Sequence, residues 1–246
     1  MPTIAIFLSK GGLGDTAQHA VAHALEDASV TVRAIAREAD TIGHIDKETA
    51  PFLTTEQVTN ARLTQHVIPY ASETPEAMSQ LTAVLDGVDA VIAAPSNREP
   101  SKERAAAASM RAIVAAMASR HVTARRLVYV STPGIDSAPM PWSFVGKILS
   151  AVYLIARTIK KDFKAADAAV RGSDLDYLIV RPMGLDPAAE PRNKWAVIPA
   201  DDKKGPLEVN VSKADVGRFL LCEALTPTAR AADMQVGWKP APKKKA

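Results

Sequence analysis

The residues with the most evident chemistry in this sequence are Lys10-Gly11-Gly12-Leu13-Gly14, set between an apolar run, Ile4 to Leu8, and a helical stripe. Ala17, Ala20, Val21, Ala24 and Leu25 form that stripe, recurring at i, i+3, i+4, i+7 and i+8 as an amphipathic helix requires. Strand, glycine turn and helix in that order suit a pyrophosphate. The helix start offers unpaired N–H groups and a positive dipole end, and glycine lets the backbone come close. Ser9, Lys10, Gly11, Gly12, Leu13 and Gly14 are therefore candidate cofactor-binding residues. Gly11-x-x-Gly14 is only part of a three-glycine fingerprint, and a β–α turn that binds nothing fits it equally well.

Further groups with chemical meaning follow along the chain. Arg37 closes the second β-prone run, Val30 to Ala36. In a dinucleotide-binding fold that strand ends beside the adenosine ribose, where an acid receives the 2′-hydroxyl and an arginine matches a 2′-phosphate. Arg37 thus favours NADP over NAD as cofactor, the alternative being a solvated strand-end arginine. Ser131 and Thr132 end the fifth strand and are candidate substrate-side hydroxyls; the competing reading is that they satisfy the backbone at the strand end. Tyr153 and Arg157 share a helix face at i, i+4, as a third catalytic candidate, although a guanidinium stays protonated and cannot relay a proton. Cys222 falls in an amphipathic helix and reads as a small buried core residue rather than a nucleophile. The histidines and nearby acids show no metal-ligand spacing, so no metal site is expected.

The elements that must position these groups alternate regularly. Strands are expected at Ile4–Leu8, Val30–Arg37, Val67–Tyr70, Val88–Pro95, Leu127–Thr132 and Leu175–Val180. Helices are expected from Asp15 to Leu25, from Thr74-Pro75 to Leu85, from Ser101 to about Arg120 and from about Val145 to Arg171, with a last one from a Ser212 cap to Leu225. A short strand is expected around Trp195 to Ile198 and an edge strand from Met234 to Trp238. Such alternation predicts an α/β fold, a doubly wound parallel sheet of the Rossmann type in the order 3-2-1-4-5-6, with a small C-terminal substrate-side region. Ligands then bind beyond the carboxyl ends of the strands. The tips converging there are Ser9 to Gly14, Arg37, Ala93, Ala94, Pro95 and Ser96, Ser131 to Gly134, and Arg181, Pro182, Met183 and Gly184. Residues 133–150 and 183–211 are the expected substrate-side loops.

Length and composition fit this architecture. With 246 residues the chain suits one domain over 1–238, followed by a basic flexible tail at 239–246. Much of the net charge of +3 lies in that tail, so no nucleic-acid partner is implied. One cysteine excludes an internal disulfide and suits a reducing compartment. The start lacks a basic, apolar leader, and the longest apolar helical stretch, Ile148 to Ile159, is too short for a membrane span. A soluble cytoplasmic protein is expected, acting on a small molecule, as a monomer or a homodimer.

Four segments carry a family resemblance: Gly87-Val88-Asp89-Ala90-Val91-Ile92; Leu127-Val128-Tyr129-Val130-Ser131-Thr132; Ser173 to Pro182; and Ser212-Lys213-Ala214-Asp215-Val216. In that order and spacing the chain resembles an atypical short-chain dehydrogenase/reductase. It is similar to the NmrA-like, NAD(P)H-binding group, which includes biliverdin/flavin reductase-like and quinone reductase-like proteins. The resemblance runs from Ile4 to about Leu225 and implies a nicotinamide cofactor. It departs at Leu8, where the group has the first glycine of its turn, and at Arg181-Pro182-Met183-Gly184, where Arg-Pro-Gly is common. It also departs in catalysis. Tyr129, Tyr153 and Tyr177 are followed four residues later by Pro133, Arg157 and Arg181, so no Tyr-x-x-x-Lys is present. The resemblance implies an NADP(H)-dependent oxidoreductase acting on a quinone, flavin or enone. The alternative is a non-catalytic NADP(H)-binding redox sensor of the NmrA type.

Overall fold

The apolar run Thr3–Leu8 forms the first strand, and it is buried on both faces, which is why it reads as continuous rather than alternating. A computed structural model describes residues 1–9, 14–37, 53, 55–95, 105–135, 157–186, 194–202 and 211–238. In chain order the elements are β1 (Thr3–Leu8), α1 (Gly14–Glu26), β2 (Thr31–Ala36), a single turn α2 (Thr55–Val58) and β3 (Leu63–Val67). Next come α3 (Pro75–Leu85), β4 (Ala90–Ala93), α4 (Ala105–Met117), β5 (Arg126–Val130), α5 (Arg157–Arg171) and β6 (Asp176–Pro182). The chain continues with β7 (Leu185–Asp186), β8 (Ala196–Pro199), β9 (Val211–Ser212), α6 (Lys213–Leu225) and β10 (Ala232–Gly237).

The main sheet has the order β3-β2-β1-β4-β5-β6-β10-β8, so the expected 3-2-1-4-5-6 core is present. All pairs from β3 to β10 are parallel, and only β8 runs antiparallel, against β10. β1 pairs with both β2 and β4, which places the switch point at its carboxyl end. One face carries α1 and α6 over Ile4, Ile6 and Leu8; the other buries Ala5 and Phe7 beneath α3, α4 and α5.

Several elements differ from the sequence expectation. β3 ends at Val67, where the sequence suggested a start. It is an exposed edge strand with a polar Thr-Gln-His centre, and the apolar Ile68 and Tyr70 that mimicked it lie beyond its end, turned into the core beside Phe7. β10 is not an edge: β8 covers it, and the expected short strand near Trp195 is that cover. Within 183–211, β7 and β9 also pair as a separate two-stranded ribbon. Cys222 is exposed rather than buried. At 100° per residue it points about 200° away from both Leu220 and Ala224, which face the core. Of the helix expected over 145–171 the described part is α5; residues 145–156 and the tail lie outside the described residues.

The caps are local. Thr74 Oγ1 accepts from Ala77 N at 3.3 Å with Pro75 in the first turn, and Ser212 Oγ accepts from Asp215 N at 2.9 Å. α4 is held at its start by another helix: Asp162 of α5 accepts from Ala106 N at 3.0 Å and Ala107 N at 2.9 Å.

His19 lies where α1 packs against α6, with its Cβ against Gly217. Burial, reinforced by nearby His23 and Lys213 and opposed by Asp15, pulls its pKa down to about 4. A histidine depressed below its unfolded value stabilises the fold above pH 6.5 and loses that contribution as pH falls toward 4. The expected result is that His19→Gln, which cannot titrate, loses about 1–3 kcal/mol less unfolding free energy between pH 7 and pH 4 than wild type. Urea unfolding at the two pH values measures the difference, and identical losses would contradict it.

Candidate functional site

The candidate site residues meet at the carboxyl end of the sheet, where the strand tips adjoin. Ser9 follows β1 and donates its hydroxyl to the Ala94 carbonyl at 2.6 Å, tying the tip of β1 to that of β4. Ala93 and Ala94 are fully buried, and each carries only a methyl group at that junction. Ser131 N donates to Val180 O at 2.8 Å, so the β5 and β6 tips are joined in turn. Beyond them Met183 N donates to Val236 O at 2.8 Å, fixing the backbone after Pro182. Both exits turn through glycines at positive φ, Gly134 at 82° and Gly184 at 73°.

Gly14 opens α1 against the same corner. A Cβ there would lie 1.9 Å from Ser9 O and 2.6 Å from Ser9 C, so only glycine lets the helix start this close to β1. That is the close helix–strand approach a dinucleotide turn needs, and the residues present fit such a cofactor. Asp15, in the first turn, would repel an anion at the helix start, but Lys213 Nζ donates to its carboxylate and neutralises it. Lys10, Gly11, Gly12 and Leu13 lie outside the described residues, as does Tyr153.

Arg37 follows β2, half-buried, and its charge reaches Tyr70. Burial pushes the Tyr70 phenol well up, against the opposing pull of Arg37 and the Ser109 hydroxyl. Tyr129 is driven the same way, by burial and by the carboxylate of Asp167. Both phenols are therefore held neutral, the opposite of a tyrosine primed to exchange a proton at working pH.

The β5 tip carries a polar assembly in which Ser131 and Arg181, both expected at this end, meet Asp167 and Asp233, which the sequence reading missed. Ser131 Oγ donates to Asp167 Oδ1 at 2.7 Å, and Arg181 Nη2 donates to Asp167 Oδ2 at 2.7 Å. Arg181 Nη1 donates to Thr132 O at 2.7 Å and to Ser131 Oγ at 3.2 Å. Its Nε and Nη2 reach the two oxygens of Asp233, each at 2.7 Å, and Arg171 Nη2 joins Asp233 at 2.5 Å. Arg181 and Asp167 are 0% exposed; Thr132 is also buried, and its hydroxyl donates to Pro133 O at 3.4 Å. Burial raises the Asp167 carboxyl, and Arg181 and Ser131 work against that rise. One signal was legible: Asp167 lies on the inner face of α5, between Phe163 and Val170, where an apolar residue belongs.

A doubly wound parallel sheet with a glycine-started helix at its switch point defines the class of dinucleotide-binding Rossmann proteins. Sequence comparison is more specific. Residues 11–227 match the model of the NAD(P)H-binding family, and the chain belongs to that family. No curated protein sequence is similar to it at a significant level. Solved structures share the fold. A short-chain dehydrogenase/reductase from Veillonella parvula, in complex with NADP, superposes with a TM-score of 0.69 at 19% identity, covering 98% of this chain and 99% of that one. A Rossmann-fold NAD(P)-binding protein from Shigella flexneri gives 0.64 at 17% identity, over 100% and 98%. A protein from Streptococcus pneumoniae, provisionally assigned as an NADH-flavin reductase, gives 0.64 at 16% identity, over 97% and 100%. Among the described residues no helix is long and apolar enough to cross a membrane, and no cluster of three or more His, Cys, Asp or Glu could hold a metal ion.

Proposed function

We propose that this protein is an NADP(H)-dependent oxidoreductase that reduces a small conjugated acceptor, a quinone, flavin or enone. The observation that carries this reading is the corner where Gly14, Ser9 and the β4 tip adjoin, in a chain of the NAD(P)H-binding family. When bound, the cofactor supplies the hydride. Ser9, Lys10, Gly11, Gly12, Leu13 and Gly14 hold its phosphates, and Ala93, Ala94 and Pro95 leave room for it over β4. Ser131 and Pro182 fix the strand tips on the nicotinamide side, and Thr132, whose hydroxyl donates to Pro133 O at 3.4 Å at the exit of β5, is the side chain that meets the acceptor by exchanging that long bond for one to substrate. The proton comes from solvent or a hydroxyl, since neither Tyr70 nor Tyr129 is primed to give one. The test is steady-state NADPH consumption against a panel of quinones, flavins and enones, with turnover of at least one class expected.

Arg37 selects NADP by meeting the 2′-phosphate. A charge-assisted contact of this kind is worth about 1.5–3 kcal/mol, so Arg37→Ala should weaken NADPH binding by roughly 10- to 150-fold and leave NADH binding little changed. Fluorescence titration with each cofactor checks this; an equal loss for both would exclude a role at the 2′-position.

A second reading, a non-catalytic NADP(H)-binding redox sensor, is favoured by the absence of any Tyr-x-x-x-Lys. Tight NADPH binding with no turnover across the panel would select it.

A further inference from the structure

We propose that Arg181, Asp167 and Ser131 are positioning residues that fix the exit of β5 and thereby aim Thr132 at the acceptor, an inference that rests on the role given to Thr132 above. Arg181 has five N–H groups, and all five are engaged: two on Asp233, one on Asp167, and two shared between Ser131 Oγ and Thr132 O. Asp167 uses both oxygens, one for Arg181 and one for the Ser131 hydroxyl.

Two consequences follow for the site. The single hydroxyl proton of Ser131 is directed inward to Asp167, and an Arg181 N–H occupies the oxygen from another side, so Ser131 acts on Thr132 rather than on substrate. The Thr132 carbonyl is clamped at 2.7 Å and the following Pro133 restricts the Thr132 backbone, so the main chain that carries the Thr132 side chain is fixed, and its hydroxyl rests on Pro133 O at 3.4 Å.

Stability alone is a poor reason for such an assembly. A buried ion pair of this type is often matched or bettered by apolar residues of the same volume, whereas a fully satisfied network holds one geometry. Its place in the fold agrees. A second buried arginine cluster among the described residues, at Arg126, lies at the opposite end of β5, away from the carboxyl-end tips where ligands bind. Charges within the assembly balance, Arg171 and Arg181 against Asp167 and Asp233, so the tip is held without adding net charge beside the cofactor.

The test uses the full-length protein with Ser131→Ala and Asp167→Asn, singly and combined, beside Thr132→Ala and Thr132→Ser. Three quantities are measured: NADPH affinity, kcat and KM with an acceptor that proves active, and the emission of bound NADPH, which reports the surroundings of the reduced ring without turnover. The expected result is NADPH affinity within about threefold of wild type and kcat lowered about 10- to 100-fold. The double variant should be no worse than the weaker single, because the residues act as a unit. Bound-NADPH emission should change in both single variants, and Thr132→Ser should retain most of the rate that Thr132→Ala loses. A lowered Tm with kcat and emission unchanged would reduce the assembly to a structural role and overturn the proposal. Should Asp167→Asn fail to fold, Ser131→Ala, which removes one hydroxyl, decides alone. If wild type binds NADPH but reduces no acceptor, the oxidoreductase reading fails while the emission readout still judges the positioning role. If wild type binds no NADPH, both fall together.

Discussion

Gly14→Val is expected to weaken NADPH binding by at least about 100-fold while leaving a folded protein. The Cβ alone would sit 1.9 Å from the Ser9 carbonyl oxygen, a main-chain atom that no rotamer change can move aside. Relief requires the start of α1 to swing away from β1, which breaks the close approach of helix and strand at the switch point. Losing two charge-assisted N–H contacts to phosphate, at about 1.5–3 kcal/mol each, accounts for a hundredfold or more. Overpacking costs about 1–3 kcal/mol of stability, a fall in Tm of about 2–12 °C for a chain of this size. Calorimetric titration and thermal unfolding by circular dichroism measure the two effects. NADPH affinity close to wild type would place the phosphates elsewhere.

Arg126→Met should produce the largest loss of stability without touching the cofactor. Arg126 opens β5 and is almost fully buried; its Nη2 donates to Glu223 Oε2 and its Nε to Glu223 O, both at 3.0 Å. Its Nη1 donates to Asp176 Oδ1 at 3.2 Å and to Ala229 O at 2.8 Å, so one side chain joins β5, β6, α6 and the turn before β10. Methionine matches much of the volume but leaves the buried Glu223 carboxylate, among the described residues, with the Thr228 amide and hydroxyl as partners and no cation. Breaking such a pair from one side costs about 3–5 kcal/mol, a fall in Tm of about 6–20 °C. NADPH affinity at a temperature where the variant is folded should stay near wild type. A Tm within 2–3 °C of wild type, less than about 1 kcal/mol, would show that the charges relax into solvent.

The central parallel strands were legible because each is an apolar run between turn residues. Their order followed from the alternation with helices and the right-handed crossover rule. Legibility failed where burial and pattern diverge. Leu63–Val67 is an exposed edge strand with a polar centre that presents no periodic signal, and the apolar Ile68 and Tyr70 beyond it drew the strand too late. Met234 to Trp238 looked like an edge because its cover, β8, comes earlier in sequence and runs antiparallel. Cys222 was misplaced because residue type was weighed above its angle on α6. At the site, Ser9, Gly14, Ala94, Ser131 and Pro182 could be placed at adjoining tips from strand ends alone. The partners of Ser131 could not. Asp167, Arg181 and Asp233 come from three elements, and only folding makes them neighbours. A lone acid on an apolar helix face marks such a residue without naming what it meets.

Equilibrium titration of the wild-type protein with NADPH and with NADH tests the assignment of this corner most directly. A 2′-phosphate held by Arg37, with the pyrophosphate at the start of α1, predicts saturable binding of NADPH that is about 10- to 150-fold tighter than that of NADH. Equal affinity for the two would contradict the selection at Arg37, and no binding of either would contradict the site itself.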